Sequence, residues 1–372
     1  MALFDESLDI EPRRRPPLRR SSRIGFAALA VALVILAALS FLPTGYVIQQ
    51  PGPVYNTLGT AATGEGEEVP LISIEGAETF ETTGSLDLTT VQVVGNRERT
   101  PSWIELVGAW FDSSRAVVPI ASVFPAGQTS EQRNEESAQM MVDSQQEATA
   151  AALTAQGIDV GARVRVFSLP EDSPAEGVLE ADDIIVAAEG EPVDDVEQLR
   201  EIVQRGEGDP VALTVERAGQ TEQVEILPEF SEDADAWQVG VSIIHDYDFP
   251  VDVTIQLDNV GGPSAGMMFA LGIIDTMTPG ELTGGLDIAG TGTIDADGVV
   301  GPIGGIRQKL YGARGAGAEY FLAPEANCDE VQGHIPAGLQ VFSVATLDDS
   351  LAALETLREG GDLDALPACT TG

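Results

Sequence analysis

The chain has 372 residues, 43% of them hydrophobic, which is enough for more than one core. Its formal net charge is −41, and such an acidic protein will not bind a nucleic-acid backbone, which requires a cationic surface. Two histidines and two cysteines without ligand spacing argue against a metal site, and we expect no cofactor.

Residues 1–23 form an Arg-rich tail of net charge +2, which leaves −43 for the rest of the chain. Residues 24–42 follow without a charged residue, and as a helix they would span about 28 Å, close to a bilayer core. The positive-inside rule then predicts a cytoplasmic tail, a transmembrane helix at 24–42 and an extracytoplasmic remainder. The alternative is a cleaved signal peptide with a small-residue site at Ala38-Leu39-Ser40.

Residues 44–156 contain strand-like and helix-like segments in a loose order. Leu71 to Glu75 and Gly84 to Val91 are typical of strands, and Glu136 to Leu153 is typical of a helix. No motif in this part specifies a chemistry by itself.

Residues 157–230 read as short strands with one helix, and their motifs resemble a PDZ domain of the bacterial protease type. The resemblance rests on Ser173-Pro-Ala, Asp183-Ile-Ile and Gly190-Glu-Pro-Val, with Ala181 and Asp182 where the family usually has glycine. PDZ domains bind an extended peptide end as an added strand. The resemblance therefore predicts a groove along the strand from Arg163 to Leu169, at Val164, Val166 and Phe167. The alternative is a generic small α+β domain.

The segment 238–372 contains Gly-Gly-Pro-Ser-Ala-Gly at 261–266, followed by an apolar run long enough for a buried helix. This arrangement places the Ser264 hydroxyl near a helix N-terminus, where free N–H groups favour negative charge. The backbone amides of Ser264 and Ala265 could then hold the oxyanion of an acyl-transfer intermediate. A plain serine N-cap after a Gly-Pro turn is the alternative.

Lys309 is the single lysine of the chain, whereas the other 18 basic residues are arginines. It ends the run Gly-Pro-Ile-Gly-Gly-Ile-Arg-Gln-Lys, 45 positions after Ser264. A buried amine can lose its proton and act as a base, but a guanidinium effectively cannot. The pair therefore indicates a Ser–Lys catalytic dyad. A Ser-His-Asp triad stays an alternative, although neither His245 nor His334 lies in a recognisable motif.

The two runs, in this order and spacing, resemble the proteolytic domain of Lon-type peptidases. The resemblance implies that Ser264 is the nucleophile, Lys309 the general base and Thr291 a supporting residue. Two positions depart from the family pattern, since Gly261 replaces an aspartate and Thr293 a glutamate. The segment from Ala316 to Asn327 resembles a further strand and turn of the family, and residues 44–156 loosely resemble its first half.

Together, the modules resemble bacterial membrane-anchored Lon-like proteases that carry a PDZ domain. The expected fold is α+β, with a Lon-type domain interrupted by the PDZ domain and preceded by one transmembrane helix. The expected function is an ATP-independent serine endopeptidase that acts on extracytoplasmic proteins, because the only lysine is unavailable for a Walker A loop. The resemblance also implies a homo-oligomer, commonly a hexamer. The alternative is a non-enzymatic PDZ adaptor with an inactive protease fold.

Two cysteines in an exported domain can pair, and a bridge between Cys328 and Cys369 would tie the C-terminal tail to the proteolytic domain. Two unpaired thiols are the alternative.

Overall fold

The structure is a computed structural model that describes residues 20–369 apart from 63–65, 126, 128, 171–172, 194, 233 and 258–259. The predicted cytoplasmic tail, up to residue 19, therefore lies outside the described residues, as do the side chains of 20–23, 35–38, 40 and 41. The first helix, α1 (Arg20–Phe41), covers nearly all of the predicted segment 24–42. Within the described part of the chain, no helix is both long enough and apolar enough to cross a membrane.

The next part of the chain alternates strands with three helices. Its elements are β1 (Tyr46–Asn56), β2 (Thr60–Ala62), β3 (Glu68–Pro70), β4 (Ile72–Glu75), β5 (Ser85–Val94), α2 (Trp103–Trp110), β6 (Ala116–Pro119), α3 (Ile120–Val123) and α4 (Ser130–Ala155). The long helix α4 begins at a capping box, in which Thr129 accepts from the Gln132 amide and Gln132 bonds back to Thr129.

The middle of the chain is mostly strands. Its elements are β7 (Gly161–Ser168), β8 (Ile184–Ala188), β9 (Glu191–Pro192), α5 (Val196–Arg205), β10 (Val211–Arg217), β11 (Gln220–Ile226), β12 (Glu229–Ser231), β13 (Ala236–Gln238) and β14 (Ser242–Asp248). An antiparallel sheet runs in the order β11-β10-β8-β7-β14, and β9 pairs with β8. This sheet and α5 enclose a separate apolar core. Strand β14 belongs to this sheet by its pairing, although the predicted boundaries place 238–372 with the Lon-like domain.

The last part of the chain carries the predicted catalytic motifs. Its elements are β15 (Asp252–Ile255), α6 (Gly266–Met277), β16 (Asp287–Gly290), β17 (Thr293–Ile294), β18 (Val300–Gly301), α7 (Ile306–Ala316), β19 (Tyr320–Pro324), α8 (Cys328–Val331), β20 (Gln340–Val344) and α9 (Leu347–Glu359), with 3-10 turns at Glu325–Asn327 and Leu363–Ala365.

A second sheet joins strands from both sides of the middle region, in the order β20-β19-β16-β5-β1-β6. Strands β5, β16, β19 and β20 run parallel, while β1 and β6 pair antiparallel. Alternate side chains enter two cores, so that Leu322 of β19 packs with α6 and Phe321 packs with α7. The architecture is therefore mixed α/β, and it holds α6 and α7 on opposite faces of one sheet.

Candidate active site

The turn before α6 presents Ser264. Gly262 has φ +86°, a left-handed conformation that glycine adopts without strain, and Pro263 follows it. Residues 266–274 of α6 are all buried, which anchors the turn against the core, while Ser264 itself stays half-buried and reachable from solvent. A Cβ at Gly261 would overlap Oγ of Ser137 on α4, which explains why the aspartate of the family pattern has no room here.

Lys309 lies on α7, and its side chain extends to Ser264. Helix α7 starts after Gly305, whose φ of +71° turns the chain into the helix. Nζ of Lys309 lies 2.8 Å from Oγ of Ser264. The lysine is only 2% exposed. The structure therefore brings the two predicted dyad residues into hydrogen-bond contact.

Thr291 orients the lysine. Its hydroxyl donates to the backbone oxygen of Ser264 at 2.8 Å. Its Oγ1 also lies 2.8 Å from Nζ of Lys309, and because its own hydrogen is used toward Ser264, this second bond is donated by Nζ. The remaining lone pair of a neutral amine then faces the Ser264 hydroxyl. Thr291 is fully buried, so it holds this geometry away from water.

Burial lowers the pKa of Lys309 to about 7, because a charged ammonium loses its hydration in this apolar site. Among the described residues, no carboxylate forms a salt bridge with Lys309 that would restore the charged form. A large fraction of the amine is thus neutral at neutral pH, which a general base requires.

The backbone amides of Ser264 and Ala265 are the predicted oxyanion donors. The next amide along the chain, that of Gly266, is already used, since it donates to the Pro263 carbonyl. Within the described residues, neither the Ser264 nor the Ala265 amide donates to a backbone oxygen. Both are available to an incoming carbonyl oxygen.

A cavity of about 440 Å³ opens over the dyad. Its wall combines apolar side chains with the edge of β5, and includes Tyr55, Thr90, Val91, Met141 and Val260. Its only charged residue among the described ones is Lys309. The cavity is large enough for one or two side chains of an extended peptide next to Ser264.

The predicted peptide groove on β7 is wrong. Strand β7 has neighbours on both edges, β14 on one and β8 on the other, so it has no free edge to accept a peptide. Val164 and Val166 are buried in the core of the sheet, and Phe167 points out with 41% exposure.

The free edge belongs to β14, opposite α5. A groove of about 210 Å³ lies between this strand and the helix, and it is lined by Val196, Leu199, Val203, Val241 and Ile243, together with Trp237. Gly240, with φ +72°, turns the chain into β14 at the end of the groove. The segment Ser242–Asp248 does not alternate strictly between polar and apolar residues and was not predicted as a strand, so the sequence analysis missed this groove.

The remaining predicted site residues fall elsewhere. The structure joins Cys328 and Cys369 in a disulfide, 41 positions apart. His334 is half-buried and its Nδ1 lies near the Gln332 carbonyl, while His245 lies on β14, and neither forms a hydrogen bond with Ser264 in the described part of the chain. The geometry thus favours the dyad over a Ser-His-Asp triad.

Two structural residues of the site were not predicted. Asn327 is buried and forms two 2.9 Å bonds with the backbone of Ile303, which hold the loop that leads into α7. Ser144 of α4 donates to the Pro263 carbonyl at 3.0 Å. Asn327 closes the family-like segment from Ala316, so a signal for it existed, whereas a serine within a helix carries none.

Comparison with known families agrees with this geometry. Residues 236–356 match the family described as the Lon protease (S16) C-terminal proteolytic domain, and residues 168–217 match a PDZ domain. The chain carries a Lon-type proteolytic domain. The prediction of a serine peptidase is thereby confirmed at the level of this domain.

Similar curated proteins include Lon proteases of several bacteria. Lon protease 1 of Sorangium cellulosum is 38% identical over 100 residues, which are 26% of this chain and 12% of that protein. The Lon protease of Campylobacter concisus is 32% identical over 130 residues, 34% of this chain and 16% of that protein. The chain thus spans less than a fifth of the length of these two relatives.

Among solved structures, the PDZ domain of the SdrC-like protein from Listeria innocua is 23% identical and covers 22% of this chain and 92% of its own, with a TM-score of 0.21. The corresponding PDZ domain from Listeria monocytogenes has the same identity and TM-score, and covers 22% of this chain and 85% of its own.

Proposed function

We propose that the protein is an ATP-independent, membrane-anchored serine endopeptidase that cleaves extracytoplasmic proteins with the Ser264–Lys309 dyad. The observation that carries the proposal is the 2.8 Å contact between the serine hydroxyl and Nζ of a buried lysine whose pKa is lowered to about 7. Such a pair activates the hydroxyl without a histidine.

In the first half of the reaction, neutral Lys309 accepts the hydroxyl proton as Oγ of Ser264 attacks the scissile carbonyl carbon. The amides of Ser264 and Ala265 hold the resulting oxyanion. The Lys309 ammonium then gives its proton to the leaving nitrogen, and the C–N bond breaks to leave an ester on Ser264. In the second half, Lys309 takes a proton from water and the hydroxide attacks the ester carbon. The C–Oγ bond then breaks, Lys309 returns the proton to Oγ of Ser264, and the acyl half of the substrate leaves with a new C-terminal carboxyl group.

The groove between α5 and β14 is the proposed reader of protein substrates. Its lining is mostly apolar, with Arg200 and Gln238 as its polar members, and the free edge of β14 offers backbone hydrogen bonds to an added strand. Peptide ends with apolar side chains and a free carboxylate fit this surface.

The proposed location rests on the arginines that precede the uncharged segment 24–42, which would leave the catalytic domain outside the cytoplasm. The disulfide between Cys328 and Cys369 supports it, because such bonds persist in oxidising compartments. ATP independence rests on Lys309 being the sole lysine of the sequence. A homo-oligomer, commonly a hexamer in Lon-type domains, is part of the proposal.

Lys309→Arg tests the dyad. Arginine keeps the charge but resists deprotonation, so hydrolysis of a fluorogenic peptide and of casein should fall about 10³-fold or more, as for Ser264→Ala. In the unaltered protein, kcat/KM should rise about tenfold per pH unit below 7 and level off above it, since only the neutral lysine is active.

Arg307→Lys is the matched control, because it changes the cation type on the same helix at an exposed position and should keep full activity. Circular dichroism melts of all variants report folding. Near-normal hydrolysis by Lys309→Arg, or by Ser264→Ala, would contradict the dyad. Absence of hydrolysis by the folded, unaltered protein would favour a non-enzymatic PDZ adaptor.

A further inference from the structure

Helix α4 contacts the turn at residues 261–265 that carries Ser264, called the catalytic turn below. The Gly262 amide donates to the Ser137 carbonyl at 2.8 Å, and the Ser144 hydroxyl donates to the Pro263 carbonyl at 3.0 Å. Ser144 is only 4% exposed, and a Cβ at Gly266 would press on its Oγ. The two residues directly before Ser264 are therefore attached to α4, and a shift of the helix moves the nucleophile.

The same helix is attached to the groove strand one turn further on. Oε1 of Glu147 accepts a hydrogen bond from the Tyr247 hydroxyl at 2.9 Å and lies 2.8 Å from Nδ1 of His245. Both partners are on β14. Glu147 follows Ser144 by three positions, so the two side chains lie on neighbouring turns of α4.

The contact between Glu147 and β14 lies next to the groove between α5 and β14. Ile243, His245 and Tyr247 alternate along β14 and so share one face of the strand. Ile243 and Val196 line the groove, and both also line a cavity of about 270 Å³ whose wall includes Glu147 and His245. A ligand that orders the groove end of β14 therefore acts on a strand whose other end is fastened to α4.

The side chain of Glu147 is held in place by its contacts with β14. Its carboxylate accepts both bonds through one oxygen, whereas Oε2 is buried and has no hydrogen-bond partner among the residues that the structure describes. An unsatisfied buried oxygen is costly, so the carboxylate is kept at this position by the two β14 contacts and not by burial. The aromatic rings of Tyr247 and Phe249 stack 5.4 Å apart and stiffen the same end of the strand.

We propose that Glu147 is a positioning residue that couples occupancy of the α5–β14 groove to the catalytic turn through α4. A peptide in the groove fixes β14, β14 fixes Glu147, and α4 then holds Pro263 and Ser264 in the reactive arrangement. The inference rests on the proposed peptidase function and deepens it, because the PDZ domain then activates the site as well as binding the substrate.

The experiment measures hydrolysis of a fluorogenic tripeptide by the full chain, with and without a saturating groove probe. The probe is a decapeptide with three C-terminal valines and a free carboxylate, and its binding is followed by fluorescence anisotropy. In the unaltered protein, the probe should raise kcat about fivefold or more, the lower end of usual coupling between sites. KM for the tripeptide should change little.

Glu147→Ala should bind the probe with unchanged affinity but show no rise in kcat. Glu147→Gln should keep part of the rise, since its amide oxygen still accepts from Tyr247. Asp143→Ala is the matched control, because that carboxylate sits one turn earlier on α4 and its hydrogen bond, from Gln139, stays within the helix. It should respond to the probe as the unaltered protein does.

If Glu147→Ala does not fold, Tyr247→Phe removes only the hydroxyl that Glu147 accepts and should reduce the rise. An undiminished rise in Glu147→Ala or Tyr247→Phe, or an equal loss in Asp143→Ala, would overturn the coupling. If the unaltered protein is active and binds the probe but its kcat does not change, the coupling alone is overturned. Absence of tripeptide hydrolysis, or of probe binding, overturns the proposed function and this inference together.

Discussion

At the scale of single residues, the site depends on keeping one lysine out of water. Lys309 is 2% exposed, and Ile306 and Leu310 beside it are fully buried in the core under α7. This burial makes the amine a base, but it also costs folding free energy, because an unfolded lysine is protonated until pH about 10.4.

Lys309→Met should therefore stabilise the protein while abolishing activity. With a folded pKa of about 7, the buried lysine lowers the free energy of unfolding by about 5 kcal/mol at pH 7 and below. Replacing it also removes its hydrogen bonds, so the free energy of unfolding of Lys309→Met should exceed that of the unaltered protein by about 3 kcal/mol. Between pH 7 and 10 the unfolded state binds one proton more than the folded state, so the free energy of unfolding of the unaltered protein should rise with pH. The difference in stability between the unaltered protein and Lys309→Met should therefore shrink. Urea unfolding of both proteins at pH 6.5, 8.5 and 10 measures this difference.

Ser264→Ala is the control for this measurement, because it removes a hydrogen bond but keeps the buried lysine, and it should retain the pH dependence. Parallel curves for Lys309→Met and the unaltered protein would show that the amine is not desolvated in the folded state.

At the scale of elements, the C-terminal tail extends the large sheet. The Ser343 amide donates to the Pro367 carbonyl and the Cys369 amide donates to the Val341 carbonyl, so the tail runs along the open edge of β20. Cys369 is buried, and its bridge to Cys328 fastens this added segment to α8.

Replacing both cysteines by serine should weaken the whole domain. The bridge closes a loop of 41 positions, and loss of this constraint lowers the unfolding free energy by up to about 4 kcal/mol in the chain-entropy model. Urea unfolding of the double variant, and hydrogen exchange at Val341 to Ser343, measure the effect. The unaltered protein in reductant should behave like the variant, and equal stability with and without reductant would show that the tail is held by its backbone bonds alone.

At the scale of the whole molecule, the PDZ sheet is an insertion whose two ends lie side by side. Gly161 at the start of β7 pairs with Asp248 at the end of β14. The chain therefore leaves the proteolytic domain and returns to it at points about 5 Å apart. The large sheet meanwhile takes strands from both sides of the insertion.

Replacing residues 161–248 by a short Gly-Ser turn, with Glu147→Gln to avoid an unpaired carboxylate, should leave a folded proteolytic domain. Acylation of Ser264 by a small serine-reactive probe should persist, because the dyad lies outside the insertion. Cleavage of casein should fall about tenfold or more, since the substrate is no longer held near the site. Mass spectrometry follows the acylation and gel densitometry the cleavage.

Val196→Arg, which obstructs the groove in the intact chain, is the companion variant and should lose casein cleavage to a similar extent. Undiminished casein cleavage by both proteins would mean that the PDZ domain does not read substrates. Loss of Ser264 acylation in the excised protein alone would mean that the insertion supports the fold.

The two residues of the candidate dyad could be predicted from the sequence. Ser264 and Lys309 are recognisable because each sits in a short run whose residue types serve one purpose, a tight glycine turn before a buried helix and a sole lysine in an arginine-rich chain. Such signals are local, so they survive without knowledge of the fold. The presence of PDZ-like strands and of a second module was predictable for the same reason.

The strand that borders the groove and the helix that contacts the turn before Ser264 could not be predicted from the sequence. Strand alternation predicted β7, whereas β14 was not predicted, and pairing between positions about 80 residues apart determines which strand keeps a free edge. Likewise, Ser144 and Glu147 are ordinary polar residues of a helix until packing sets α4 against the catalytic turn and β14. These roles arise from long-range contacts, and no local pattern encodes which partners a buried polar side chain will meet.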